Sequence, residues 1–163
     1  MRIPVHFLVL GTAATLVGGV AIAQRPDNQI LPRSVELQRQ GESLIAAGLY
    51  LEAEDSLETA LAVDPRNRSA FVDLARVADH QKLYGKAIRL ASKALDLEPN
   101  DLNALEIQGQ AMAELGAIPR AKDNLAKLQK LCTNGCPQVA ELSAAITRGP
   151  VVAEAKPETP KND

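Results

Sequence analysis

The chain has 163 residues, of which 46% are hydrophobic and only 2% aromatic, and its formal net charge is −2 at pH 7. This length is typical of a single domain. A charge so mild, without a cluster of basic residues, excludes binding to nucleic acid through neutralised phosphates. Alanine and leucine supply most of the apolar area, which favours helices that pack closely through small side chains.

The first 23 residues have the pattern of an export signal. A basic residue near the start precedes an uncharged apolar run at residues 7–23, and the run ends with Ala21 and Ala23 just before Gln24. Small residues at these two positions suit signal peptidase. We predict that residues 1–23 are removed and that the remainder is periplasmic. The alternative is an uncleaved inner-membrane anchor through residues 7–23, the only case in which we expect membrane contact.

The two flanks of the chain differ in composition from its middle. Residues 24–33 contain two prolines and read as a linker. Residues 149–163 begin with Gly-Pro and then combine two further prolines with charged residues and little to bury. This composition is typical of a disordered, solvating tail.

A 34-residue period organises the middle of the chain into three units, at residues 34–67, 68–101 and 102–135. The same kinds of side chain recur at matching positions of the units. The aligned positions are Leu37, Phe71 and Leu105; Gly41, Ala75 and Gly109; Leu44, Ala78 and Met112; Tyr50, Tyr84 and Ile118; Ala53, Ala87 and Ala121; and Leu57, Ala91 and Leu125. A fixed period of this length predicts a stacked array, which usually provides a binding surface.

Each unit divides into two helices. Leu37, Gly41 and Leu44 share one face of a first helix, and the second helices are predicted to begin at about Tyr50, Tyr84 and Ile118. Gly48 and Gly116 suit the left-handed position that ends a helix. Lys82 occupies the matching place in the middle unit, so we expect that turn to close in another way. Asn67 and Asp101 are predicted to cap the following first helices.

A further helix is predicted at residues 136–148. Pro137 is tolerated in a first turn, and Val139, Leu142 and Ile146 continue the spacing of the first helices. This helix is expected to cover the apolar side of the third unit, with Glu141 and Arg148 facing water, as a terminal cap requires.

The repeat resembles the tetratricopeptide repeat (TPR), a 34-residue helix–turn–helix with small and large residues at these spacings and proline near its end. The resemblance covers residues 34–135 and departs from the pattern mainly in the third unit. There, Leu128 stands where alanine is expected and Thr133 replaces the closing proline. It implies an all-α solenoid of three helical hairpins plus a capping helix, spanning residues 34–148.

The resemblance also implies a concave groove lined by one stripe of the first helices. The residues of that stripe are Gln38, Glu42, Ile45, Val72, Arg76, Asp79, Glu106, Gln110 and Ala113. Any one of them is more often an ordinary solvated residue, but as a set they suit an extended peptide with basic character. The lysine and asparagine clamp by which some relatives hold a terminal carboxylate is absent. Arg76 is the only base of the stripe, and Arg76→Glu is expected to weaken a partner while thermal stability stays nearly unchanged.

Cys132 and Cys136 are the only two cysteines, and three interpretations of the pair remain. An even cysteine count in an exported chain favours a structural disulfide. Free thiols are the second interpretation. Redox function is the third, although the spacing is one residue longer than Cys-x-x-Cys. A metal site is not expected, because His80 is the only histidine after the signal segment.

No arrangement of residues suggests catalysis, since the acids are scattered and neither a phosphate loop nor a nucleophile motif is present. His80 is expected to be a surface residue near a helix end. We therefore predict a non-catalytic adaptor of the bacterial envelope that binds a protein or peptide, with no cofactor, nucleic acid or small-molecule substrate. The alternative is a thiol-dependent factor that uses Cys132 and Cys136.

Overall fold

The computed structural model describes residues 29–150, which form seven α-helices and no strand. These helices are α1 (Pro32–Ala46), α2 (Tyr50–Val63), α3 (Arg68–His80), α4 (Tyr84–Leu97), α5 (Leu102–Glu114), α6 (Ile118–Leu131) and α7 (Pro137–Arg148). None of them is long and apolar enough to cross a bilayer. The predicted signal segment, the first half of the linker and the tail beyond residue 150 lie outside the described residues.

The helices form two layers. Helices α1, α3, α5 and α7 pack on one another in chain order, whereas α2, α4 and α6 contact only helices of that first layer. The first layer is therefore continuous and the second is spread apart. This arrangement makes the odd-numbered helices the inner, concave side of a solenoid and the even-numbered helices its outer side.

The helix starts agree closely with the sequence pattern. Helices α2, α4 and α6 begin at Tyr50, Tyr84 and Ile118, as predicted. Helix α1 begins at Pro32, two residues before the predicted repeat. Proline stands there in the first helical turn, where the backbone N–H has no partner within the helix and the fixed φ angle is already helical. The end of the predicted linker is therefore part of α1.

Both predicted N-caps are confirmed. The Asn67 side chain accepts a hydrogen bond from the Ala70 N–H at 3.2 Å, and the Asp101 side chain accepts one from the Ala104 N–H at 2.7 Å. Each satisfies a donor that the first turn of α3 or α5 leaves free. These side chains fix where the inner helices begin.

The turn of the middle unit corrects the sequence prediction. Gly48 and Gly116 have φ values of 74° and 77°, as predicted, but Lys82 adopts the same left-handed conformation with φ 61°. The Lys82 N–H donates to the Asp79 carbonyl at 2.9 Å, and the Leu83 N–H donates to the Ala78 carbonyl at 2.8 Å. These helix-ending bonds hold lysine in a conformation that costs roughly 1–2 kcal/mol for a residue with a Cβ.

The small residues of the repeat mark the closest helix contacts. Ala53, Ala87 and Ala121 are fully buried. A Cβ added to Gly41 would lie 2.5 Å from Leu57 Cγ, far inside van der Waals contact. The sequence prediction that small side chains allow the helices to approach is therefore confirmed.

Helix α7 covers the third unit as predicted. Leu142 is fully buried against Leu105 and Leu128, and a Cβ added to Gly109 would lie 2.7 Å from Leu142 Cδ2. The larger Leu128, which departs from the repeat pattern, is itself fully buried in this cluster. The departure in sequence thus supplies apolar surface that docks the cap.

Candidate functional site

An open depression of about 150 Å³ lies on the inner face, where α1, α3 and the start of α5 meet. Side chains from all three helices line it, and most of them are polar. The lining residues are Gln38, Glu42, Arg68, Ser69, Val72, Asp73, Arg76, Asp101 and Asn103. The structure thus brings together four residues of the predicted stripe and adds five that the stripe did not contain.

Asp73 is the centre of this depression. Gln38 Nε2 donates to Asp73 Oδ2 at 2.5 Å, and Arg76 Nη1 donates to Asp73 Oδ1 at 2.9 Å. Burial raises the pKa of the Asp73 carboxyl, and the bonds from Gln38 and Arg76 oppose that rise. Asp73 lies one position beyond Val72, so the predicted stripe did not include it.

Two residues of the predicted stripe belong to the packing core. Val72 is 5% exposed and packs with Ala94 and Ala104, and Ala113 is fully buried in the cluster that contains Ala121. Stacking of one inner helix on the next covers these positions. Val72 therefore lines the depression with little exposed surface, Ala113 has none, and their apolar character reflects the contact between units.

The remaining stripe residues are partly or fully exposed. Ile45 is half-buried against the first core cluster, whereas Glu42 is exposed at the mouth of the depression. Gln110 Nε2 donates to Glu106 Oε1 at 2.7 Å, one turn away along α5. Asp79 is half-buried near the end of α3.

Arg76 is an ion-paired residue. Its side chain is 36% exposed and is bonded to the nearly buried Asp73. Changing Arg76 to glutamate would leave Asp73 without this partner and would place a second carboxylate beside it. The sequence-based expectation of nearly unchanged stability therefore does not hold, because a buried charge without its partner is destabilising.

A second acidic contact lies further along the inner face, between α5 and α7. Burial, together with a hydrogen bond to the Glu141 carboxyl and its negative charge, raises the pKa of Glu106 to about 8. The two carboxyls are thus close enough to share a proton. Glu141, which was predicted to face water, is exposed, and its carboxyl also contacts that of Glu106 where α7 packs on α5.

A third acidic cluster lies where α3, α5 and α7 end. Glu114 is nearly buried and accepts a hydrogen bond from Arg148 Nη2 at 3.1 Å. Asp79 Oδ1 is buried and has no hydrogen-bond partner among the described residues. Burial raises the pKa of Asp79 and that of Tyr84, with Glu114 adding to the rise at both.

Acids therefore outnumber bases along the inner face of the described chain. Four acidic residues follow one another from α1 to α5, namely Glu42, Asp73, Glu106 and Glu114. Arg76, by contrast, is ion-paired with Asp73. Such a surface offers carboxylate acceptors to a ligand that brings its own positive charge.

Cys132 and Cys136 are joined by a disulfide, with their Cα atoms 5.8 Å apart. Cys132 caps the end of α6 and Cys136 caps the start of α7. His80 is exposed and stacks on the Tyr50 ring at a centroid distance of 4.7 Å. Among residues 29–150 no group of three potential ligands could hold a metal ion.

Stacked helical hairpins with a polar groove on the inner layer define a helical-repeat protein. The family model of the tetratricopeptide repeat matches residues 44–110. Solved TPR domains have the same fold. The first TPR domain of human RPAP3 is 21% identical with a TM-score of 0.64, and the match covers 71% of this chain and 94% of that domain. The TPR domain of Sgt2 from Aspergillus fumigatus is 23% identical with a TM-score of 0.65, covering 82% and 90% respectively.

Another similar structure is the second TPR domain of human RPAP3, solved in complex with an HSP70 peptide. It is 21% identical with a TM-score of 0.63, and the match covers 69% of this chain and 94% of that domain. The repeat match and these structures agree with the paired helices described above. Residues 44–110 thus match the tetratricopeptide repeat family, and the described helices have the fold of TPR domains.

Proposed function

We propose that this protein is a non-catalytic adaptor whose inner face binds an extended, basic segment of a partner protein. The observation that carries the proposal is the line of acidic residues from Glu42 through Asp73 to Glu106 on three stacked inner helices, of which Glu42 is the most exposed. Similar TPR domains have been solved with bound peptides, including the HSP70 peptide held by human RPAP3. A groove open along its length suits a ligand that contacts successive helices.

The charge of the inner face favours a basic ligand over an acidic one. The HSP70 peptide of the RPAP3 complex, SGPTIEEVD, is acidic. On this chain an acidic peptide would meet the exposed carboxylate of Glu42, and the guanidinium of Arg76 is already paired with Asp73. Like charges placed together across an interface cost affinity. Lysine or arginine side chains would instead find carboxylate acceptors.

We place this adaptor in the bacterial envelope, because the signal pattern of residues 1–23 favours export. The disulfide agrees with an oxidising compartment. We assign Cys132 and Cys136 a structural role, since their bond joins the end of α6 to the start of the capping helix α7. Resistance of the pair to mild reductants would support that role, and rapid reduction with reactive thiols would support the redox alternative.

The binding proposal is tested by a charge reversal at Glu42. Glu42→Lys is expected to weaken a lysine-rich ten-residue peptide about fivefold, equivalent to about 1 kcal/mol, because Glu42 is exposed at the mouth of the depression. Fluorescence anisotropy with a labelled peptide measures this, and a glutamate-rich peptide of equal length serves as the ligand control.

A matched control variant separates the groove from net charge. Glu58→Lys changes the net charge equally, but Glu58 is exposed on α2 in the outer layer. We expect it to alter affinity less than twofold at 150 mM salt, where exposed charges beyond about 8 Å are screened. Equal losses in the two variants, or preference for the acidic peptide, would contradict binding of a basic segment on the inner face.

A further inference from the structure

The edge of the solenoid that carries the turns within each helix pair exposes a row of leucines. Leu49 and Leu51 lie at the α1–α2 turn, Leu83 at the α3–α4 turn and Leu115 at the α5–α6 turn. Each is between 45% and 72% exposed, and none belongs to a core cluster of the described residues. We call this row the leucine edge. It does not contribute to the peptide groove.

Leu49 and Leu83 each follow the left-handed residue that ends an inner helix, and their N–H groups donate to the Leu44 and Ala78 carbonyls, whereas their side chains stay largely exposed. Leu49 and Leu83 are the N-cap residues of α2 and α4, and neither helix has a side-chain cap. On the opposite edge, Asn67 and Asp101 cap α3 and α5 as local preference dictates. A leucine at an N-cap forgoes a hydrogen bond worth about 1 kcal/mol.

The charges beside the leucine edge are mostly positive. Lys82 lies within the α3–α4 turn, and Arg120 and Lys122 lie in the first turns of α6. All three are exposed, and residues 46–51, 80–85 and 115–120 contain no acid. Glu52 and Asp123 are the nearest exposed acids. The opposite edge differs, since its loops carry Asp64, Glu98 and Asp101 beside Arg66 and Arg68.

We infer that the leucine edge lies on an anionic lipid surface. Leucines that protrude from tight turns can enter the interfacial region of a bilayer, and the adjacent bases attract anionic headgroups. The axes of packed helices lie about 8–10 Å apart, and this distance spaces the turns of successive units. The leucines therefore form a row that a flat surface can meet, while the inner face stays open to a peptide.

Other features of the edge fit this orientation. Helix α7 also ends on this side, and Pro150 approaches Gly116 to within 3.9 Å of the position a Cβ would occupy.

Vesicle co-sedimentation tests the inference with residues 24–163, which lack the apolar signal run. This chain keeps every helix and every core cluster, all of which lie within residues 32–148. The vesicles are phosphatidylethanolamine with phosphatidylglycerol at a 3:1 ratio, and phosphatidylcholine vesicles are the neutral control. We expect binding to the anionic vesicles to be at least about fivefold stronger and to fall in high salt.

Two pairs of substitutions locate the contact. Leu51→Ser with Leu83→Ser is expected to lower the partition coefficient about tenfold, because two apolar side chains no longer leave water on binding. Leu97→Ser with Leu131→Ser removes two leucines of the opposite edge, which are 45% and 38% exposed, and is expected to change the partition coefficient less than twofold. Circular dichroism verifies the helix content of both.

A third variant tests the charges independently of the leucines. Lys82→Gln with Arg120→Gln is expected to lower binding to anionic vesicles at least about threefold and to leave neutral vesicles unaffected. Failure of the unaltered chain to sediment, or equal losses in the two leucine pairs, would overturn the inference. A change of oligomeric state in light scattering for the Leu51 and Leu83 variant alone would also overturn it, by assigning the edge to contacts between copies.

Discussion

Replacement of Leu142 by alanine is expected to lower the free energy of unfolding by about 3 kcal/mol. Leu142 is fully buried between Leu105 and Leu128, and Gly109 leaves room for it at the surface of α5. Removing most of its side chain leaves a cavity that helices of a stacked array cannot easily close. Urea denaturation should show the lower free energy of unfolding. Thermal denaturation should show a fall in melting temperature of about 10 °C.

The matched control for this change is Leu131→Ala. Leu131 lies at the end of α6 and is 38% exposed, so its truncation is expected to cost less than about 0.5 kcal/mol. Hydrogen exchange in the Leu142 variant should accelerate first in α7 and α6, because each unit is stabilised mainly by its neighbours. A uniform change along the array, or equal losses for the two leucines, would contradict the role of Leu142 in docking the cap.

Replacement of Glu106 by glutamine is expected to stabilise the protein at alkaline pH and not at acid pH. The pKa of Glu106 is raised from 4.5 to about 8, because the carboxyl is buried beside that of Glu141. The folded state therefore holds a proton that the unfolded state releases above pH 4.5. Its contribution to stability is complete below pH 4.5 and is lost as the pH rises to about 8.

Solvent reaches Glu106 in part, so we discount the full shift and expect a gain of about 1–2 kcal/mol for Glu106→Gln at pH 9. Urea denaturation at pH 4.5 and pH 9 measures the difference. Asp73 and Asp79 also have raised pKa values and act in the same direction. The difference in free energy of unfolding between the variant and the unaltered chain isolates the contribution of Glu106. Glu58→Gln, on the outer layer, serves as the control. A gain of equal size at both pH values would contradict a shared proton.

The period of the sequence was sufficient to predict most of the fold. A 34-residue repeat of small and large side chains specifies paired helices, since each hairpin can bury its apolar stripe only against another. Local signals then fixed the boundaries, as at Asn67 and Asp101. Lys82 shows the limit of such signals, because the repeat pattern predicts glycine at that turn. Hydrogen bonds of the surrounding helix end hold lysine in the same conformation.

The candidate groove was predictable only in part. The stripe rule places residues on one face of each helix but does not say how far the next helix covers that face, so Val72 and Ala113 proved to be core residues. It also missed Asp73, whose partner Gln38 lies 35 residues away on another helix.

The sequence by itself determined the class of fold, the number of units, the helix limits and the closeness of Cys132 and Cys136, because all of these depend on local spacing and periodic burial. Only the tertiary structure decided which acids share protons or ion pairs and which leucines remain exposed. The Glu106–Glu141 contact and the leucine edge arise when helices distant in sequence are stacked side by side. Burial and electrostatic neighbours are properties of that stacking.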